Sequence, residues 1–248
     1  MKAMILAAGL GTRLRPLTND RPKALVEVAG RTLLEITLAR LRAFGIHEVI
    51  INVHHFADMV VDYLKKNNNF GMRIEVSRED VLLDTGGGLK KAAWFFLEDS
   101  SPDQPFILHN VDVISTIDLD SMVQFHKERK ALATLAVQAR ETSRYLLFDE
   151  HLRLAGRLSG QNGQSEFVLP SRQLQIQALA FSGIHLISPR LLSMITEDGA
   201  FSIIASYMRL AGQEENILCF RADEYSWRDL GRPESIALAE KDFQDRVL

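Results

Sequence analysis

KAMILAAGLGTRLRPLTNDRPKAL, residues 2–25, passes from a short apolar run directly into a loop rich in glycine and positive charge. Lys2 to Ala7 has strand length and no polar interruption, the pattern of a strand covered on both faces. Gly9 and Gly11 permit positive φ and close approach of the backbone to a ligand. Arg13 and Lys23 bring charge to a place where main-chain N–H groups can line a phosphate. Pro16 and Pro22 stiffen the far half of the loop. The stretch predicts a buried strand opening an α/β fold, followed by an anion-binding loop. Taken singly, each of these residues reads equally well as part of an ordinary solvated strand-to-helix connection. Two common phosphate motifs do not apply. Leu14 stands where the dinucleotide fingerprint needs its third glycine, and neither Gly9 to Arg15 nor Gly86-Gly87-Gly88-Leu89-Lys90 has Walker A spacing.

Outward from this stretch, strand and helix patterns alternate. Leu33, Leu34, Leu38, Leu41 and Phe44 recur at helical spacing, and Glu48 to Val53 is a second apolar run, which together complete a βαβ unit. The alternation continues with a helix over 57–66, a strand over 72–77, a helix over 89–97 and a strand over 105–109. The expected fold is a single-domain α/β structure with a doubly wound, mostly parallel, Rossmann-like mixed sheet flanked by helices. Ligands in such sheets bind beyond the carboxyl ends of the strands, where residues 9–15, 84–88 and 110–112 all fall. After Asp112 the pattern predicts a helix over 119–130 and strands over 133–139 and 145–148. A polar excursion over 156–170 reads as a small β insertion. A strand over 177–187, helices over 189–195 and 203–210, and a closing helix over 233–245 with proline in its first turn complete the chain.

Composition narrows the function. The chain has 248 residues, 46% of them hydrophobic, and a net charge of −3 with both signs interspersed, so no polyanion-binding surface and no nucleic-acid partner are expected. Cys219, the single cysteine, lies in an apolar strand-like run and reads as a small buried hydrophobe. No apolar stretch is long enough to span a bilayer and no secretion-type leader precedes the first strand, so a soluble cytoplasmic protein without a membrane partner is expected. Oligomeric state leaves no mark in the pattern.

The candidate chemistry rests on a few residues. Asp112 follows the apolar strand Phe106-Ile107-Leu108-His109, which places its carboxylate at a strand end facing the cleft. Magnesium takes hard oxygen ligands, often one or two carboxylates plus substrate phosphates, and Asp229 in Trp227-Arg228-Asp229-Leu230-Gly231 is the candidate second acid. A turn or capping role is the alternative for both, most of all for Asp229 with Gly231 and Pro233 beside it. Leu83-Asp84-Thr85-Gly86-Gly87-Gly88-Leu89 offers bare backbone to a flat ligand, or else a hinge. Gly183, inside Ala180-Phe181-Ser182-Gly183-Ile184, marks at least a bulge. The chain has no Gly-x-Ser-x-Gly elbow and no zinc-spaced Cys/His cluster.

Gly9, Gly11, Thr12, Arg13, Pro16, Pro22 and Lys23 in this order, with Asp84 to Gly88, Asp112 and Asp229, resemble the signature of the sugar-1-phosphate nucleotidyltransferases. The resemblance implies an enzyme that transfers a nucleoside monophosphate from a nucleoside triphosphate to a sugar 1-phosphate, releasing pyrophosphate. It implies that Leu6, Ala8, Gly9, Gly11, Thr12, Arg13, Asp84, Gly86, Gly87 and Asn110 hold the nucleotide, and that Arg13, Lys23 and Asp112 are catalytic. Asp112 and Asp229 would bind Mg2+, and Arg144, Ser182 and Gly183 would face the sugar phosphate. Residues 1–115 then form the nucleotide-binding half and 116–248 the sugar-phosphate half. A sugar 1-phosphate, with a second pKa of about 6, is already an anionic nucleophile at neutral pH, so no general base is required.

Two departures stand out. Asn110-Val111-Asp112 replaces the family's Asn-Gly-Asp, and Arg144-Tyr145-Leu146 lacks the Tyr-Gly and Glu-Lys pairs, leaving Arg144 or Arg153 to meet the sugar phosphate. Residues 83–89, 180–189 and 227–234 are most similar to members that use UTP and N-acetylmuramate 1-phosphate or a related hexose 1-phosphate. Mannose- or heptose-1-phosphate guanylyl transfer is the alternative. A catalytically silent nucleotide-sugar-binding subunit is the alternative of another class, and the presence of Arg13, Lys23, Asp112 and Asp229 tells against it.

Overall fold

β1 (Lys2–Leu6) forms where the opening apolar run predicts it, with Ala3, Met4 and Ile5 fully buried. The computed structural model describes residues 1–98, 104–159, 164–168 and 175–244. The loop after β1 contains short 3-10 turns at Thr12–Leu14 and Lys23–Leu25 and closes with a small hairpin of β2 (Glu27–Val28) and β3 (Arg31–Thr32). α1 (Leu33–Ala43) starts where the Thr32 hydroxyl accepts the Glu35 N–H at 3.1 Å, an N-cap that satisfies one of the helix's orphan donors. β4 (Glu48–Val53), α2 (Ala57–Lys66) and β5 (Arg73–Arg78) follow. Next come α3 (Asp84–Lys91), α4 (Ala93–Leu97), β6 (Phe106–Asn110), β7 (Val113–Ser115) and α5 (Leu119–Glu128).

The remaining half contains β8 (Ala133–Gln138), β9 (Arg144–Phe148), β10 (Leu154–Ser159), β11 (Gln164–Phe167) and β12 (Gln177–Ile187). α6 (Ile203–Gly212), β13 (Ile217–Arg221), β14 (Trp227–Asp229) and α7 (Pro233–Gln244) complete the described chain.

The central sheet is mixed. β5, β4, β1 and β6 lie side by side and parallel. β12 then runs antiparallel to β6 through Ile184–Ile187 and to β9 through Gln177–Ala180, with β8 along its other side. β13 pairs parallel to β8, and β9, β10 and β11 form an antiparallel extension. Side chains alternate across the sheet as strand geometry requires. Ile5, Ile51 and Ile107 join one core with residues of α1, α2, α5 and α7. Met4, Ile50 and Leu108 join a second with residues of α3, α4 and α6. Helices therefore cover both faces, which is the doubly wound arrangement.

Some expectations shift. α3 begins at Asp84, not at Leu89, and a break at Ala92 separates it from α4. The glycines enter the helix because the Phe201 carbonyl accepts the Gly86 and Gly87 N–H groups at 2.9 and 3.3 Å, a tertiary contact that offsets their weak helix propensity. The expected helix over 189–195 is a 3-10 helix, Pro189–Met194. The polar excursion over 156–170 belongs to β10 and β11 where it is described, and residues 160–163 and 169–170 lie outside the described residues, as does the end of the expected closing helix at residue 245. Cys219 is fully buried in β13 and burial pushes its thiol up to about 12, which fits an inert core residue. Among the described residues no helix is long and apolar enough to cross a membrane.

Candidate active site

The carboxyl ends of β1, β4 and β6 open onto a cavity of about 460 Å³ lined by residues 6–9, Lys23, Asn52, Leu82, Asp84, Thr85, residues 110–112 and Ala200. Asn52 and Glu79 brace it from behind. The Asn52 carbonyl accepts the Ala7 N–H at 2.8 Å, its amide donates to Glu79 Oε1 at 2.7 Å, and Glu79 Oε2 accepts the Leu83 N–H at 2.9 Å. Both side chains are buried. The chain of bonds thus fixes the spacing between the loop after β1 and the segment before α3, the two walls of the cavity.

The two loop glycines have different jobs. Gly9 lines the cavity, its φ is not in the positive region, and a Cβ there would meet nothing within 4 Å. Its contribution is exposed backbone, contrary to the expectation of positive φ. Gly11 has φ +64°, a Cβ there would lie 2.9 Å from Thr18 Cγ2, and its carbonyl accepts the Thr18 hydroxyl at 2.8 Å. Gly11 lets the loop fold on itself. Leu6 and Ala8 are on the cavity wall with Gly9, whereas Gly11 and Thr12 are not.

Charge converges at the mouth. Lys23 Nζ donates to Asp112 Oδ2, with side-chain exposures of only 12% and 18%. β7 and β14 pair so that Asp229 lies opposite Val113, and the Asp112 carbonyl accepts the Leu230 N–H at 2.8 Å. Asp112 and Asp229, far apart in sequence, are thereby brought to neighbouring backbone positions. Asp229 Oδ1 also accepts the Gly231 N–H at 2.7 Å. A Cβ on Gly231 would fall 2.7 Å from Arg13 Nη2 and 2.8 Å from Asp229 Oδ1, so Gly231 leaves room for both the Arg13 guanidinium and the Asp229 carboxylate. Two carboxylates with hard oxygen donors suit magnesium held jointly with substrate phosphates. Among the described residues no group of three or more His, Cys, Asp or Glu could form an all-protein cage.

Asp84 and Thr85 line the cavity, Asp84 with φ +58°, but Gly86 and Gly87 do not. A Cβ on Gly86 would lie 2.2 Å from the Phe201 ring, one on Gly87 2.4 Å from the Gly199 carbonyl, and one on Gly88 2.7 Å from Asn52 and Glu79. The glycine run therefore gives room to the protein's own 199–201 segment and to the Asn52–Glu79 brace, while its flanks face the cavity. Asn110 closes β6 and lines the cavity; Gly183, with φ +74°, has room for no side chain because a Cβ would lie 2.8 Å from Asn110 Nδ2. Val111 needs no glycine, since its φ is not in the positive region and its side chain is buried against the first core. Ser182 is fully buried, with its carbonyl accepting the Trp227 indole N–H at 2.8 Å. Arg144 is exposed at the start of β9, and Arg153 sits at the opposite end of the β9–β10 hairpin.

Beside Asp229 opens a second pocket of about 410 Å³ with Arg13, Arg140, Thr142, Trp227 and Arg232 in its walls. The Arg140 guanidinium stacks 3.6 Å above the Trp227 ring and donates to the Phe181 carbonyl at 2.7 Å; burial pulls its pKa below the usual arginine value. Sequence reasoning passed over Asn52, Glu79, Arg140 and Arg232. The one signal for Asn52 was a lone amide inside the apolar run Ile50-Ile51-Asn52-Val53.

The sequence profile of the nucleotidyl transferase family matches residues 2–149. The chain belongs to that family. This nucleotidyl transferase is 34% identical over 247 residues to N-acetylmuramate alpha-1-phosphate uridylyltransferase of Caulobacter vibrioides, covering 96% of this chain and 95% of that protein. It is 30% identical over 237 residues to the mannose-1-phosphate guanylyltransferase catalytic subunit beta of Xenopus tropicalis, and the match spans 62% of that relative's length. The nucleotidyl transferase also superimposes on a crystal structure of HddC from Yersinia pseudotuberculosis complexed with GMP-PN, with a TM-score of 0.76 and 22% identity over 98% of this chain and 99% of the other. That likeness is one of fold.

Proposed function

We propose that this chain is a magnesium-dependent uridylyltransferase that joins the UMP portion of UTP to a sugar 1-phosphate, N-acetylmuramate 1-phosphate first among the candidates, and releases pyrophosphate. The observation that carries the reading is the meeting of Lys23 with Asp112 at the cavity wall, with Asp229 brought alongside by the pairing of β7 and β14. A full-length relative at 34% identity with that activity supports the choice of base and sugar.

In this reading residues 1–115 hold the nucleotide and 116–248 the acceptor, within one domain. Leu6, Ala8, Gly9, Asp84, Thr85 and Asn110 take base and ribose, and the triphosphate runs toward Arg13 and Lys23. An anionic oxygen of the sugar phosphate attacks the α-phosphorus, and the bond from that phosphorus to the bridging oxygen of the β-phosphate breaks, its electron pair leaving on pyrophosphate. The work left to the protein is alignment and stabilisation of charge. Lys23 and Arg13 supply fixed positive charge where it develops. Asp112 and Asp229 would hold magnesium, which would supply further positive charge against the negative charge of the phosphates. Gly183 leaves the room that the Asn110 side chain occupies, on the acceptor side. Such an enzyme would serve cell-envelope nucleotide-sugar biosynthesis in the cytoplasm.

The test is a matrix of UTP, GTP, CTP, ATP and dTTP against N-acetylmuramate, N-acetylglucosamine, glucose, mannose and heptose 1-phosphates, with pyrophosphate release read with and without magnesium. UTP with N-acetylmuramate 1-phosphate is expected to give the highest kcat/KM, and only with the metal. Highest turnover with GTP and mannose 1-phosphate would favour guanylyl transfer, and no release from any pair would favour a silent binding subunit.

A further inference from the structure

Resting on the reading above, we infer that Arg140 and Arg232 form a second anion subsite that selects acceptors carrying a carboxylate in addition to their 1-phosphate. The pocket beside Asp229 is bounded by Arg13 from the first half of the chain and by Arg140, Thr142, Trp227 and Arg232 from the second. Among the described residues neither Arg13 nor Arg140 nor Arg232 is in an ion pair, and Arg228, also in the wall, is matched by Asp242. Asp229 is the one carboxylate in the lining, and it is the residue a metal would take. With that acid on the metal and Arg13 on the triphosphate, the guanidinium groups of Arg140 and Arg232 remain in a pocket of about 410 Å³ without a counter-charge in its described lining.

Arg140 is pre-set for the role. Its planar group lies flat on Trp227, one amino nitrogen is committed to the Phe181 carbonyl, and its Nε is sealed from solvent with no partner among the described residues. A guanidinium held this way loses little freedom on meeting a carboxylate, and is weakly hydrated to begin with. Trp227 gives the same pocket an apolar wall for a short carbon arm, and Thr142 offers a hydroxyl.

The position of the pocket decides between the two anions available. The 1-phosphate must reach the phosphorus near Lys23 and Asp112, on the cavity side of Asp229. A carboxylate carried on a side arm of the same sugar would reach beyond Asp229, into the pocket built from the acceptor half. Neutral hexose 1-phosphates would leave Arg140 and Arg232 unanswered, so the subsite discriminates by charge.

The experiment compares kcat/KM for N-acetylmuramate 1-phosphate and N-acetylglucosamine 1-phosphate, which differ by the lactyl carboxylate arm, in the wild type, Arg232→Ala, Arg232→Lys and Arg140→Gln. The expected result is a preference for the carboxylated sugar that falls at least tenfold in Arg232→Ala and in Arg140→Gln and is partly kept in Arg232→Lys. An unchanged preference, with KM for UTP raised instead, would overturn the inference and give the pocket to the triphosphate. A second measurement is independent of turnover: binding of the two sugar phosphates followed by Trp227 fluorescence in a Trp94→Phe background, with and without α,β-imido-UTP. Carboxylate-selective binding that depends on Arg232, in a protein that transfers no nucleotide, would sustain the subsite while the uridylyltransferase reading fails. Transfer to N-acetylmuramate 1-phosphate with Arg232-independent selectivity would sink the subsite alone.

Discussion

Lys23 Nζ donates to Asp112 Oδ2 across 89 positions of sequence, at the one edge of the sheet where the loop after β1 and the end of β6 meet. The pair is largely withdrawn from solvent, where an ion pair without its partner is costly. In the proposed reaction Lys23 would hold the Asp112 carboxylate in place for phosphate and metal, and the two residues would act as a unit.

Lys23→Met should lower kcat by about 10²–10³, the usual cost of removing one charge-stabilising donor. In an Asp112→Asn background the same change should cost far less, because effects within a unit are not additive. Single-turnover rates of the two single variants and the double variant test this. Losses that simply multiply would show that the two residues act separately.

Gly86→Ala puts a Cβ 2.2 Å from the Phe201 ring, and overpacking of this kind costs about 1–3 kcal/mol. Its denaturation midpoint should fall. Gly9→Ala meets no atom within 4 Å, so its midpoint should hold while KM for UTP rises, since the new methyl projects from the cavity wall. Urea unfolding beside steady-state kinetics separates the two, and a reversed pattern would return the glycine run to the nucleotide.

Asn52→Ala removes the bond to Glu79 and leaves that buried carboxylate short of a partner. The expected loss is about 1–3 kcal/mol of stability, with KM for UTP raised more than kcat is lowered. Equal loss in kcat and kcat/KM would make Asn52 a participant in the chemistry.

Stability should fall on acidification through the mildly acid range. Burial pulls His109 and His126 down to about 4 and His185 to about 3. His126 is held between the Thr134 and Ser188 hydroxyls at 2.9 and 3.0 Å, and His185 against the Tyr207 hydroxyl at 3.0 Å. Their folded values lie below an unfolded value of about 6.5, so between these limits the unfolded chain binds more protons. The stability conferred by neutral imidazoles is complete above pH ~6.5 and is lost progressively toward pH ~4. Urea midpoints from pH 7.5 to 4.5 should show this slope, and His185→Gln should flatten it. An unaltered slope in His185→Gln would mean that carboxylates carry the acid sensitivity.

The opening stretch disclosed the first strand, the loop and Lys23, because local patterning determines all three. Asp112 was legible from the strand before it, and Asp229 only through resemblance. Other features depend on partners far along the chain. Gly86 and Gly87 look like a ligand loop until the 199–201 segment packs over them, and Gly88 until Asn52 and Glu79 close on it. Arg232 and Gly231 look like an ordinary turn before α7 until Arg13 arrives from the other end of the chain. Asn52 reads as a break in an apolar run, and its role appears only when Ala7 and Glu79 close on it. The bulge expected at Gly183 is present as a register shift between Phe181 and His185 in the β12–β8 pairing, whereas the division of β12 between β6 and β9 that accompanies it depends on partners far along the chain.

The most direct test of the account is pyrophosphate release from UTP and N-acetylmuramate 1-phosphate with magnesium, in the wild type, Asp112→Asn and Asp229→Asn, beside the thermal midpoint of each. Sustained release is expected in the wild type and a loss of at least about 10³-fold in each variant, with unfolding still cooperative. Near-wild-type release in both variants would contradict the site assigned to these two carboxylates.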